Sequence, residues 1–355
     1  MSDTSTESRG IVGAALEELD EVPEEFDEDQ YEKLNIVEAV SSTLALKMED
    51  DESVIVMGED VGKNGGVFRA TQGLYEQFGE ERVIDTPLAE SGIVGTAIGM
   101  ATNGKKPVAE LQFMGFMAPA FDQIVSHAAR LRWRTTNNFQ VPLVVRMPMG
   151  AGIRSPEHHS ESTESYIAHT PGLKVVMPST AVDTRGLLVS AIEDPDPVLF
   201  LEPKRIYRRK KELVPKELYR VPIGEANVLQ EGNDLTLLTW GPTTVPSKKA
   251  TEELEDNGVS VELIDLRTVM PYDRDAIIKS FKKTGRCVVA HEAPKSFGPA
   301  AELISRIQEE ALLYMEAPIE RVTGFDTPPP LGEYEDHYLP GADRVLDAAD
   351  RVLNF

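Results

Sequence analysis

The residues best suited to proton chemistry in this chain are a few carboxylates and histidines set among apolar and glycine-rich segments. Glu90 is the sharpest case. It follows the run DTPLA and opens ESGIVGTAIGMA, which reads as a glycine-punctuated apolar helix. The helix dipole favours a carboxylate in a first turn, and a carboxylate at the mouth of an apolar site can also hold or pass a proton. Glu59 has a similar setting after the apolar run ending at Met57, and Glu110 interrupts the apolar PVAELQF. Three carboxylates near strand ends of one sheet exceed what packing requires. Acids in such places have raised pKa values and share protons. His158 and His159 stand in SPEHHSEST, after the glycine-rich MPMGAGIRSP. In an extended loop adjacent side chains point opposite ways. That argues against one shared metal ion and for a single loop histidine acting as acid or base. His291, at the end of VVAHE, reads as a packed or interface histidine.

The glycine-rich stretches lack the spacing that cradles phosphate. Gly92, Gly95 and Gly99 do not form G-x-G-x-x-G, and GEDVGKNGG over 58–66 lacks the Gly-Lys-Ser/Thr ending of a P-loop. Gly95 and Gly99 are four apart, so close packing along one helix face accounts for them. Glu90 thus has no phosphate-binding companion in its own chain. The combination reads as half of an active site that another polypeptide completes.

The elements that must hold these residues follow from hydrophobic period. Asn35 reads as the N-cap of a helix with Ile36, Val37, Val40 and Leu44 on one side. Short apolar strands are expected over 53–58, 107–113, 141–147, 173–178 and 197–202, with helices over 92–102, 117–134 and 182–193. Such alternation implies a parallel sheet covered on both faces. The charged stretch RIYRRKKELVPKELYRVP, 205–222, breaks the pattern and reads as a linker. A second series follows, with strands over 234–240, 259–266, 286–292 and 318–324 and helices over 243–257, 273–284 and 298–314. The expectation is therefore an α/β protein of two domains with mainly parallel sheets, 31–204 and 223–355. An acidic tail, 1–30, precedes them and is expected to be disordered.

Composition narrows the function classes. The formal net charge of −24 opposes a nucleic-acid role, which needs a basic face. It suits a surface adapted to a salt-rich cytoplasm, where ions screen self-repulsion. The single cysteine, Cys287, excludes an internal disulfide and a cysteine-based metal cluster. No apolar run approaches the roughly 20 residues of a membrane span, and MSDTSTESRG resembles neither a signal nor a transit peptide. A cytoplasmic protein is expected.

The segments GEDVGKNGGVFRAT, RVIDTPLAESGIVGTAIGMA, KPVAELQFMGF, FDQIVSHAARLR, HHSES, HTPGLKVVMPST and DPVLFLEPKRIYR occur in order from about Leu34 onward. Together they resemble the beta subunit of the thiamin-diphosphate-dependent 2-oxoacid dehydrogenases, the decarboxylase component acting on pyruvate or branched-chain 2-oxoacids. The resemblance implies a thiamin-diphosphate-binding (pyrimidine) domain and a transketolase C-terminal-like domain. It also implies a heterotetramer of two alpha and two beta chains. The alpha chain would hold the cofactor diphosphate through Mg²⁺ with a Gly-Asp-Gly motif that is absent from this sequence.

Residue roles carried over from the family are implications of that resemblance. Glu90 would hydrogen-bond the pyrimidine ring nitrogen and favour the imino tautomer that activates the thiazolium. Phe116 would pack on the pyrimidine, Leu88 and Gln112 would line its pocket, and Glu59 would sit behind the site in a proton relay. His159 would reach the active-site channel and serve reductive acylation of a lipoyl group, while His158 carries no assigned role. The loop AIEDPDP, 191–197, matches one that binds a monovalent cation. The carbonyls of Leu143, Ala191, Asp194 and Asp196 would supply the site for a structural K⁺. Phe355 would help dock the basic subunit-binding domain of a lipoyl acyltransferase core. A non-catalytic assembly subunit that keeps the fold is the alternative. Both substrate classes stay open, because the side-chain pocket is shared with the alpha chain.

Overall fold

The computed structural model describes residues 27–355. Most of the expected tail, 1–26, lies outside the described residues. At 27–30 the chain makes a turn in which the amides of Gln30 and Tyr31 donate to the Asp27 carbonyl. Strand β1 (Tyr31–Leu34) leads into the helix Ile36–Asp50, whose N-terminus carries a full capping box. The Asn35 side chain accepts from the Glu38 amide and the Glu38 carboxylate accepts from the Asn35 amide, each at 3.0 Å.

The first sheet is built from short apolar runs that have no polar face to show water. β2 (Val54–Gly58), β3 (Val83–Asp85), β4 (Lys106–Glu110), β5 (Val144–Met149), β6 (Lys174–Val176) and β7 (Val198–Pro203) pair in parallel. β2, β5 and β7 are buried along their whole length, as expected of strands with helices on both faces. On one face the helices Ile36–Asp50 and Ala181–Glu193 close the core around Val40, Leu44, Val56, Leu188 and Phe200. On the other, the core around Met57, Val94, Val145 and Leu199 runs on without a break to Trp240, Phe281 and Leu303.

The second sheet holds β9 (Asn227–Gln230), β10 (Leu235–Thr239), β11 (Val261–Asp265), β13 (Cys287–Pro294) and β14 (Glu320–Gly324), in the order β14-β13-β10-β11-β9. Only β9 is antiparallel there. β12 (Thr268–Met270) joins the first sheet instead, pairing antiparallel with β6, so that sheet runs β12-β6-β7-β5-β4-β2-β3. A strand inside the range expected for the second domain thus completes the sheet of the first. The sheets are mainly parallel and the fold is α/β.

Several local expectations differ from the structure. The stretch 117–134 is not one α-helix. A 3₁₀ turn, Met114–Ala120, contains Pro119, a π-helical turn spans Gln123–Ala128, and α-helix returns at Ala129–Arg134. Pro119 lacks the amide a regular helix would use, and π turns concentrate at functional sites. The stretch 205–222, read as a linker, carries a short strand of its own. β8 (Glu212–Pro215) within it pairs antiparallel with β1, and Tyr207 and Val214 are buried. Among the described residues no helix is long and apolar enough to cross a membrane.

Candidate functional site

Glu90 is the first residue of the helix Glu90–Thr102, after Ala89, which supplies no side-chain cap. The free amides of that turn and the helix dipole favour its carboxylate there. Glu59 follows the end of β2. Burial raises the pKa of its carboxyl, and the charges of Asp60 and Glu90 raise it further. Glu59 and Glu90 therefore lie close enough to share an electrostatic environment. Asp85, at the end of β3, fixes the loop that follows Glu59, accepting from the amides of Gly62 at 2.6 Å and Lys63 at 3.2 Å. A side chain at Gly62 would begin 2.7 Å from that carboxylate, so the close approach requires glycine.

The helix that Glu90 opens packs on the turn Met114–Ala120, which carries part of an aromatic cluster. The His159 ring meets Phe113 edge-on at 4.5 Å and Phe116 at 5.1 Å. Phe113 and Phe116 are also edge-on, at 5.4 Å. Gln112, half-buried, precedes them. His158 and His159 lie on a 3₁₀ turn, Glu157–His159, and not in an extended loop, so both rings approach Phe116, His158 at 6.0 Å. The difference is in exposure. His158 is exposed, whereas Nδ1 of His159 is buried without a hydrogen-bond partner. The Lys204 ammonium donates to the His159 carbonyl and lies 4.9 Å from the Phe113 ring centre. Burial pushes its pKa down to about 8, against the pull of Glu292 and Glu335.

Glu110 does not join the other two carboxylates. It is buried against Arg146 at 2.7 Å, and Arg146 also grips Glu202 through Nε at 2.6 Å and Nη2 at 2.9 Å. The Tyr207 hydroxyl donates to Glu202. Burial opposes the Arg146 charge, but Glu202 and Glu110 outweigh it and raise its pKa. This is a structural ion cluster inside the sheet. His291 is fully buried and stacks on Trp240 at 5.0 Å; burial pushes its pKa down to about 3. Gly95 packs on Gln123, whereas Gly99 has open space beside it, so only the first fits the close-packing expectation.

The mouth of the site is open and apolar. Leu88 is 71% exposed. On the helix behind Glu90, Ser91, Gly92, Thr96 and Gly99 form an exposed face of small residues. A large cavity of about 800 Å³ lies elsewhere, against Trp240, Tyr272 and Phe297, and none of Glu59, Glu90, Gln112, Phe116 or His159 lines it. At the 191–197 loop the Leu143 carbonyl accepts from the Val198 amide at 2.9 Å and the Ala191 carbonyl from the Asp194 amide at 3.4 Å. The Asp194 and Asp196 carboxylates are matched by Lys174 and Arg132, each at 2.8 Å. Sequence reasoning missed Phe113, Lys204 and Arg146. Arg146 and Lys204 stand in or beside apolar runs, a placement that signals a buried, partnered cation.

Residues 32–210 match the family model "Transketolase, pyrimidine binding domain", and 224–345 match "Transketolase, C-terminal domain". The chain is 51% identical over 312 residues to the pyruvate dehydrogenase E1 component subunit beta of Acholeplasma laidlawii, covering 88% of this chain and 95% of that protein. It is 47% identical over 323 residues to the Bacillus subtilis protein of the same name, covering 91% and 99%. Among solved structures, a split-gene transketolase, described as an inactive beta4 tetramer, superposes with a TM-score of 0.74 at 22% identity, covering 91% of this chain and 99% of that one. That likeness shows the fold alone. Two transketolase-type domains in order, and near-complete alignment with the E1 proteins, settle the family: this chain belongs to the beta subunits of the thiamin-diphosphate-dependent 2-oxoacid dehydrogenases.

Proposed function

We propose that this chain is the beta half of a decarboxylase component that works with an alpha chain on pyruvate and passes the acyl group to a lipoyl domain. The observation that carries the reading is the juxtaposition of Glu90 and Glu59 at an open apolar mouth. The residues suit an aminopyrimidine: Phe116 and Leu88 offer apolar faces, Gln112 a polar edge, and Glu90 a carboxylate acceptor. Bound thiamin diphosphate supplies an electron sink for loss of carbon dioxide from a 2-oxoacid. The chain's own contribution is to hold and tune it. Glu90 would hydrogen-bond the pyrimidine ring nitrogen, accepting from it in the N-protonated imino form, and Glu59, whose carboxyl pKa is raised by burial and by the charges of Asp60 and Glu90, would support that proton exchange from behind. His159, with a free Nδ1, handles a proton during transfer to the lipoyl group.

The diphosphate and its Mg²⁺ belong to the alpha chain in this proposal, and the exposed small-residue face behind Glu90 supports such a partner. The names of the relatives favour pyruvate over branched-chain substrates. At the 191–197 loop the donors are neutral carbonyls of Leu143, Ala191, Asp194 and Asp196, and the nearby carboxylates are already neutralised by Lys174 and Arg132. That set suits a single charge such as K⁺ and not a divalent ion. The exposed Phe355 and the acidic surface support docking of a basic acyltransferase domain. Cytoplasmic residence is part of the proposal, supported by one buried, unpaired cysteine.

The test is reconstitution with the alpha chain, thiamin diphosphate and Mg²⁺, with ferricyanide reduction measured on pyruvate, 2-oxoisovalerate and 2-oxo-3-methylvalerate. Pyruvate is expected to give the highest kcat/KM. Glu90→Gln is expected to lower turnover by roughly 10² or more. Near-wild-type turnover in that variant would remove Glu90 from the mechanism, and no turnover with any substrate in the wild type would favour an assembly subunit.

A further inference from the structure

The loop that carries His159 is held from behind by the second domain. Residues 150–162 leave β5 and return beside it, the Gly150 amide donating to the Glu161 carbonyl at 3.0 Å. One carboxylate oxygen of Glu292, from β13 of the second sheet, accepts from both ends of the loop. The Ala151 amide donates to it at 2.7 Å and the Ser162 hydroxyl at 2.9 Å. Glu335 accepts from the Arg154 amide at 2.7 Å. Asp336 pairs with the Arg154 guanidinium at 3.0 Å. Glu292 and Glu335 are both almost fully buried.

The backbone is shaped for this grip. Gly150 has φ +81°, and a Cβ there would meet the same Glu292 oxygen at 2.6 Å. Gly152 has φ +103° and lies against the Arg205 side chain, where a Cβ would fall 2.6 Å from Cγ. Neither position tolerates a side chain without opening the contact. A buried amide left without an acceptor is costly, so these bonds hold the loop in one arrangement. The first domain adds the Lys204 bond to the His159 carbonyl.

We propose that Glu292 is a positioning residue for the reaction: by tying both ends of the 150–162 loop to the second domain, it sets His159 against Phe113 and Phe116. The functional half of this inference rests on the role given to His159 above. Glu292 touches no reacting group, so its loss acts through the loop. A displacement of about 1 Å in a group that must meet a lipoyl substrate is enough to cost one to two orders of magnitude.

The experiment uses the reconstituted alpha–beta enzyme with Glu292→Ala, Glu292→Gln, Ser162→Ala and His159→Ala. Two quantities are read: amide hydrogen exchange in peptides covering 150–162, and reductive acylation of a free lipoyl domain, with kcat and KM separated. Glu292→Ala is expected to speed exchange in the loop roughly tenfold or more and to lower kcat for acylation roughly tenfold, with KM for the lipoyl domain little changed. Glu292→Gln keeps an acceptor oxygen and is expected to restore most of both. Ser162→Ala removes one of the two donors and gives a smaller change in the same direction, so it serves where Glu292→Ala fails to assemble. Unchanged loop exchange in these variants overturns the proposal. So does retained acylation in Glu292→Ala while His159→Ala is impaired. An unimpaired His159→Ala instead overturns the role given to His159, and the functional half of the inference falls with it, while the exchange data still decide what holds the loop.

Discussion

Glu164 shows what burial does to an acid that has no compensating cation. It is fully buried, one of its oxygens has no hydrogen-bond partner, and burial together with the Glu292 charge raises its pKa to about 7. Its folded-state pKa lies above the unfolded value, so it favours the folded state fully below pH 4.5, and that contribution is lost as pH rises through about 7. Above pH 7 the buried carboxylate is charged, at a cost on the order of 3 kcal/mol. Glu164→Gln is therefore expected to raise Tm relative to wild type at pH 8, with the gap closing towards pH 5. Thermal melts across that range check it; a gap that does not depend on pH would refute the assignment. Glu212 and Asp265, each raised to about 7 by burial, leave a residual slope of the same sign. At this scale the place of Glu90 at a helix start was legible in the sequence, because a helix start leaves a local signature. Glu110 looked the same and proved different. Its partner, Arg146, is 36 residues away, and nothing local announces such a pairing. Lys204 is alike: its place beside an apolar run signals burial, but its partner, the His159 carbonyl, is 45 residues away.

Among the elements, the long apolar strands and capped helices could be read from period alone, since their cores are buried on both sides. Short pieces outside a longer apolar run could not, whereas the three-residue β6 lies in the apolar run read over 173–178. β1, β3, β8 and β12 have three or four residues each, too few for a period to register, and β12 finds its partner 92 positions away by pairing Thr268 with Val176. The π turn Gln123–Ala128 also has no sequence period of its own. The ion cluster ties β4, β5 and β7 together through Glu110, Arg146 and Glu202. Removing only the cation leaves two buried carboxylates facing each other. Arg146→Met is expected to destabilise the fold by about 3–5 kcal/mol, read by urea unfolding. Adding Glu110→Gln and Glu202→Gln should recover part of that loss. If the single and triple variants were equally unstable, packing around Arg146 and not charge would be the cause.

For the whole molecule, 60 acidic residues face 36 basic ones. Surface ion pairs such as Arg274–Glu310 and Arg351–Glu320 stay in solvent and add little to stability, and the unmatched excess repels itself. Salt weakens both effects, but the repulsion among 24 uncompensated charges is the larger. Tm is expected to climb between dilute buffer and multimolar KCl. A maximum in dilute buffer would mean that the ion pairs dominate. The net charge was fully legible in the sequence; which acids pair and which stand alone was not.

The placement of β12 has a consequence for how the chain is made. The edge of the first sheet at β6 is not covered until Thr268–Met270 has emerged from the ribosome, which happens only once β10 and β11 of the second sheet are already out. Until then a nascent chain carries a bare strand edge with unpaired amides and carbonyls, a template for joining neighbouring chains. Synthesis must therefore run past the apparent midpoint of the protein before its first half is safe. Splitting the gene at the connecting segment would leave that edge open for the lifetime of the fragment.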